Sequence, residues 1–238
     1  MFTSSKTTPH APIRAVIVDL DGTMLDTVPD FDVAINRMRT ELGLAPISSE
    51  DIALRIGKGS EVLIRTVLAM DYNDAGVEQH FQRAFDSYKQ HYLDINGQHA
   101  VFYPGVVEGL QALVAQGLRV ACVTNKPIAF TTPLLAQKDL ARYFELVYGG
   151  DSLARKKPDP LPMLQVCRDF DIPPHQVVAI GDSSNDAQAA RAAGCFVLTV
   201  PYGYNHGESI HDTDSDGVVE SLLVAAERIR LHNQTHAA

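Results

Sequence analysis

The sequence predicts an α/β fold: a doubly wound, parallel-sheet Rossmann-like core with an inserted all-α cap domain. Three observations predict it. Short apolar runs at 15–18, 118–123, 146–148, 177–180 and 196–200 each stop at Gly, Pro or a reactive polar residue, as buried strands of a parallel sheet do. Helical patterns with start and stop signals separate the later runs, which makes them parallel strands joined by right-handed crossovers. Residues 27–100 carry no strand signal, only amphipathic helices, and a single crossover does not need a connection of that length.

In chain order, residues 1–11 are polar without an apolar stretch, so they read as a disordered lead rather than a signal peptide. The core comprises 12–26 and 101–238, and the cap comprises 27–100. Strand 15–18 runs directly into Asp19-Leu20-Asp21-Gly22-Thr23. The cap helices are predicted at 30–42, stopping at Gly43, at 48–55, opening on a Ser48 and Asp51 capping pattern, and at 60–70 and 75–93. In the core, a helix opens near Pro104, carries Val107, Leu110 and Val114, and stops at Gly117. Asp159 reads as an N-cap with Pro160 at the first helical position. An alanine-rich helix at 186–193 stops at Gly194, and a helix at 217–231 closes the chain. Inserted straight after the first strand, the cap is placed to cover that strand's carboxyl end as a lid.

The chain has 238 residues, 45% of them hydrophobic, with a formal net charge of -9. That charge argues against nucleic acid or an anionic membrane as partner, although a local Lys or a metal can still draw an anion into a cleft. No apolar run reaches the ~18 residues of a membrane span. Cys122, Cys167 and Cys195 are odd in number and lie in apolar settings, so they read as buried free thiols in a cytoplasmic protein. His206 and His211 could hold a metal or lie at the surface, and the surface reading is preferred.

Strand alternation puts Asp19 and Asp21 on one side, and two anions so close need a cation or a shared proton. Thr124 and Asn125 follow the second core strand, Lys157 precedes a helix, and Asp182 and Asp186 follow Gly181. All fall at the carboxyl edge of one sheet, where open α/β sheets bind ligands. Phosphoryl transfer needs an oxygen nucleophile, a hard cation held by oxygens, and donors around the phosphoryl oxygens. Asp19 can be the nucleophile and Asp21 the acid and base. Thr124 and Lys157 can neutralise the transferring group. Asp19, Asp182 and a backbone carbonyl can hold Mg²⁺, with Asp186 beside them.

The ordered set Asp19-x-Asp21-Gly-Thr, Thr124, Lys157-Pro and Gly-Asp182-x-x-x-Asp186 resembles the haloacid dehalogenase-like hydrolase superfamily, and the resemblance spans the whole chain, cap included. It implies that Asp21 gives its backbone carbonyl to Mg²⁺, and that the first and fourth core strands are neighbours, bringing Asp19 to Asp182. Asp21 separates the chain from the dehalogenases, and Thr23 stands where the superfamily's phosphoglucomutases usually carry Val. The turn Arg55-Ile56-Gly57-Lys58-Gly59, the run Thr124-Asn125-Lys126-Pro127 and the stretch Tyr202-Gly203-Tyr204-Asn205 are similar to those of bacterial phosphoglycolate phosphatases. This resemblance implies a Mg²⁺-dependent phosphomonoester hydrolase that splits 2-phosphoglycolate, a small-molecule substrate. Gly22, Asn125, Arg55, Gly57 and Lys58 would bind it, with Lys58 or Arg55 meeting the carboxylate. Other small phosphate esters (sugar phosphates, nucleotide monophosphates, pyrophosphate) and a mutase-like activity stay open, as do monomer and homodimer. From another class, a phosphorylatable signalling domain would use similar residues, but without a cap and with a solitary phosphoacceptor Asp.

Overall fold

The computed structural model of the protein describes residues 11–236, so the expectation for segment 1–11 lies outside the described residues except at Ala11. The core sheet consists of β1 (Ala15–Val18), β4 (Arg119–Val123), β5 (Leu146–Tyr148), β6 (Val177–Gly181) and β7 (Phe196–Thr199). Their spatial order is β5-β4-β1-β6-β7, with every pairing parallel. Val18 lies opposite Cys122 on one side and Ile180 on the other. The first and fourth core strands are therefore neighbours, and β1 is the point where the connections diverge.

Period-two alternation divides these strands between two cores. Val16, Val18, Val120, Cys122 and Ile180 pack against α5 (Val106–Ala115), α6 (Ile128–Gln137) and α9 (Leu222–His236). Ala15, Ile17, Ala121, Val123 and Ala179 pack on the opposite face against α7 (Leu161–Phe170) and α8 (Ser184–Ala193). Burial on both faces is why the strands read as continuous apolar runs.

Four helices fill the insertion: α1 (Val28–Glu41), α2 (Ser49–Ala53), α3 (Ser60–Leu68) and α4 (Asp74–Ile95). They build their own core, with Ile35 and Met38 meeting Ile52, Ile64, Tyr88 and Tyr92, and that core reaches Phe130 and Tyr204 of the sheet domain. The insertion leaves and returns through a two-stranded ribbon, β2 (Leu25–Asp26) antiparallel to β3 (Val101–Phe102). Asp30, fully buried in the first turn of α1, accepts from Gly97 N at 2.7 Å and His99 N at 2.8 Å, pinning the returning chain to the departing one. Asn96 Nδ2 adds a 2.8 Å bond to the Phe130 carbonyl. Asp30→Ala strands the buried Gly97 amide and the part-buried His99 amide and lowers stability by about 2–4 kcal/mol, a loss readable as the midpoint shift in urea unfolding.

Most helices lie where the pattern puts them, and Ser48 accepts from Asp51 N as an N-cap. Boundaries shift by a few residues, as where α1 opens at Val28 rather than at residue 30, and three shifted helix starts lie in the core. Helix α7 begins at Leu161, so Asp159 stands one place further out than an N-cap, although its Oδ1 still accepts from Leu161 N at 2.9 Å. Helix α8 opens at Ser184, two residues before Asp186. Helix α9 begins at Leu222 because the segment before it pairs with β7: Asp216 N donates to Val197 O, Thr199 N to Gly217 O and Val219 N to Thr199 O. All three cysteines are buried and unbridged. No helix of the described residues is long and apolar enough to cross a membrane.

Candidate active site

Parallel strands end at one edge of the sheet, and that edge assembles the site. Asp19 leaves β1 with its amide donating to Ile180 O at 3.0 Å. Thr124 leaves β4, its amide held by Tyr148 O. Asp182 leaves β6, and Asp186 lies in the first turn of α8. Asp19, Asp21, Thr124, Asn125, Lys157 and Asp182 line one cavity of about 30 Å³, roofed by insertion residues that include Phe31, Ile56 and Gly57.

Lys157 is the electrostatic hub. Its buried Nζ lies 2.7 Å from Asp19 Oδ1, 2.7 Å from Asp186 Oδ1 and 2.8 Å from Val123 O. Burial works against its charge, but Asp186 and Asp19 more than offset this and hold it above the ordinary lysine value. Asp186 is fully engaged, because its other oxygen accepts from Ser183 Oγ at 2.7 Å and Ser183 N at 3.2 Å. It therefore orients Lys157 and caps α8. Asp182 accepts from Thr23 Oγ1 at 2.9 Å and Tyr204 N at 2.5 Å.

Asp19, Asp182 and Asp186 each bring an oxygen within 4.8 Å of the others, and Lys157 is the cation in contact with Asp19 and Asp186. One ammonium against three carboxylates leaves negative charge uncompensated. Burial, opposed by Lys157, pushes the Asp19 carboxyl up to about 7. Burial, then Asp19 and Asp186, push Asp182 well above the usual carboxylate range. Asp19 Oδ1 contacts Lys157 as an ion pair but has no aligned hydrogen-bond donor. A buried set of hard oxygens with excess negative charge, one of them without an aligned donor, fits a small divalent cation.

Asp21 stands beside this cluster, accepting from Thr27 Oγ1 at 2.8 Å and pairing with Lys126 Nζ at 3.0 Å. Gly22 does not line the cavity. Its φ of +84° and a Cβ position only 2.2 Å from Asp182 Oδ2 show why the turn after Asp21 carries no side chain. Asn125 Nδ2 donates to Gly57 O across the insertion at 2.9 Å and to Lys157 O at 2.8 Å, joining the roof to the Lys157 loop. Gly57 thus contributes a carbonyl.

Arg55 and Lys58 are not brought to the site. Arg55 turns back one helical turn, donating to Asp51 O at 2.5 Å, and Lys58 is exposed. The turn faces the cavity with Ile56, Gly57 and Gly59 instead, because its left-handed glycines point backbone inward. His206 is half-buried rather than on the surface, its Nε2 3.2 Å from Asn185 Nδ2 beneath Gly57, whereas His211 is exposed. Lys126 and Tyr204 were not singled out from sequence as site residues, yet both are buried and line the cavity. For Lys126 the signal available was its place in the Thr124–Pro127 run.

Comparison with known proteins agrees with this geometry. The chain is 49% identical to a phosphoglycolate phosphatase of Nitrosospira multiformis, over 92% of this chain and 96% of the relative. It is 48% identical to a phosphoglycolate phosphatase of Thiobacillus denitrificans, over 90% and 95% respectively. Among solved structures, a predicted phosphoglycolate phosphatase of Haemophilus somnus superposes with a TM-score of 0.85 at 30% identity, covering 91% of this chain and 97% of that one. A family model for haloacid dehalogenase-like hydrolases matches residues 13–194, a stretch that holds Asp19, Thr124, Lys157, Asp182 and Asp186. The chain belongs to the haloacid dehalogenase-like hydrolases.

Proposed function

We propose that the protein is a Mg²⁺-dependent phosphatase that hydrolyses 2-phosphoglycolate to glycolate and phosphate. The observation that carries the chemistry is the meeting of Asp19, Lys157, Asp182 and Asp186 beside Asp21 in one roofed cavity. Mg²⁺ bound by Asp19, Asp182 and the Asp21 carbonyl would supply positive charge against the phosphoryl oxygens.

Asp19 attacks phosphorus through a carboxylate oxygen, and the bond to the leaving alkoxide breaks, giving an aspartyl-phosphate. Asp21 hands its proton to that alkoxide and then takes one from the water that attacks the phosphorus of the intermediate. Phosphate leaves and the Asp19 carboxylate is restored. Lys157 and the Thr124 hydroxyl hold the equatorial oxygens, the positions where charge accumulates. A space of about 30 Å³ has room for about two or three waters, so the insertion opens to admit an ester and recloses on a small one.

Support for this substrate comes from the relatives named phosphoglycolate phosphatase, which match nearly the whole chain. Phosphate release from a panel of phosphomonoesters, with Mg²⁺ and with EDTA, tests the reading. Expected is metal-dependent turnover with kcat/KM for 2-phosphoglycolate tenfold or more above the others, about 1.4 kcal/mol of discrimination. Equal rates across the panel would overturn the substrate, and turnover untouched by EDTA would overturn the metal.

A further inference from the structure

Lys126 is a second buried cation in the cavity, and the reaction above gives it nothing to do. Its Nζ lies 3.0 Å and 3.3 Å from the two Asp21 carboxylate oxygens and 2.5 Å from Tyr92 Oη. The same ammonium sits 4.7 Å from the Phe31 ring centre and 4.6 Å from that of Tyr92, an aromatic cradle supplied by α1 and α4 of the insertion. Lys157 is committed to the phosphoryl end of the site, between Asp19, Asp186 and the Val123 carbonyl. Lys126 holds a single carboxylate, on a flexible stem. Arg55, Lys58 and Lys156, whose ammonium lies against Gly59 of the roof, are outside the cavity lining.

Position gives this ion pair its meaning. Asp21 has to reach the ester's leaving oxygen, and in 2-phosphoglycolate one carbon separates that oxygen from the carboxylate. A substrate seated with its leaving oxygen at Asp21 therefore brings its carboxylate to the cation that Asp21 already holds. We propose that Lys126 binds the substrate carboxylate by exchanging Asp21 for it, which frees the Asp21 side chain to face the leaving oxygen. This rests on the phosphoglycolate reading. Burying a carboxylate without a partner is costly, so the exchange is also what lets the roof close over an ester with an anionic group at each end. A phosphoester without the carboxylate leaves Lys126 on Asp21, and the discrimination falls on kcat as well as KM.

The test compares 2-phosphoglycolate with ethyl phosphate, which has the same reacting end and no carboxylate, in wild type, Lys126→Met and Lys126→Arg. Expected in Lys126→Met is loss of the wild-type preference, a change of about tenfold or more, through both kcat and KM. Lys126→Arg, which keeps the cation, holds the preference within about threefold. Ethyl phosphate turnover and circular dichroism report that the variants are folded. Should Lys126→Met fail to fold, Lys126→Gln, which can still donate to Asp21, is read by the same ratio. Equal losses on both esters would overturn the proposal, since Lys126 would then only position Asp21. A wild type that prefers phospholactate to phosphoglycolate, with the preference of both over ethyl phosphate lost in Lys126→Met, would overturn the substrate and uphold Lys126. A wild type indifferent to the carboxylate would overturn both.

Discussion

Asp19→Asn abolishes turnover, by about 10⁴-fold or more in kcat, while the metal-free protein stays at least as stable as wild type. The amide removes the nucleophile outright, and no other carboxylate can stand in, because Asp182 is tied to Thr23 and Tyr204 and Asp186 to Lys157 and Ser183. Stability moves the other way because burial makes the Asp19 charge unfavourable in the folded protein, against the pull of Lys157, and brings its carboxyl up to about 7 from 3.8. At neutral pH the unfolded chain carries that charge without cost and the folded chain does not. Removing it also relieves Asp182 and Asp186, both close by. Steady-state kinetics and thermal unfolding in EDTA check the two halves. Acid-quenched mass spectrometry adds a third, since wild type captures a phosphoryl adduct and the variant none. Activity within tenfold of wild type would remove Asp19 from the nucleophile's role.

Lys157→Met has the opposite signature, losing both rate and stability. Its Nζ links Asp19, Asp186 and the end of β4, so its removal leaves three buried carboxylates facing one another. Breaking a buried pair by deleting one partner costs about 3–5 kcal/mol. Loss of a fixed positive charge at the transferring phosphoryl group lowers kcat by about 10³-fold. Bound divalent cation replaces part of the missing charge, so Mg²⁺ restores more stability to this variant than to wild type. Thermal unfolding with and without Mg²⁺, beside kcat, separates the roles. A destabilised variant with kcat within tenfold of wild type would make Lys157 a structural residue only.

The architecture was legible where chemistry and periodicity coincide. Apolar runs ending at Asp19, Thr124 and Asp182 announced buried parallel strands, and buried parallel strands share one carboxyl edge, so the acidic cluster followed. Ribbon β2–β3 was not legible, since strands of two residues leave no alternation to detect. The start of α9 moved because residues 216–219 pair with β7, a long-range bond that local propensity does not encode. Arg55 and Lys58 are placed away from the cavity for a reason that composition does not reveal: the glycines of that turn send backbone inward and the basic side chains elsewhere. Lys126 went unread for the converse reason. Its partners Asp21, Tyr92 and Phe31 lie far away in sequence, and only the fold shows that its ammonium is buried.

Ribbon β2–β3 has a consequence for the chain as a polymer. Asp26 lies opposite Val101, and Asp30 clasps the amides of Gly97 and His99, so the insertion begins and ends at one point. Once its helices have folded, the sheet has only a hairpin-sized gap to close, and closure entropy grows with the length of chain that is still flexible. Either unit can therefore form first, and mutations inside the insertion can accumulate without lengthening the path by which the sheet finds its register.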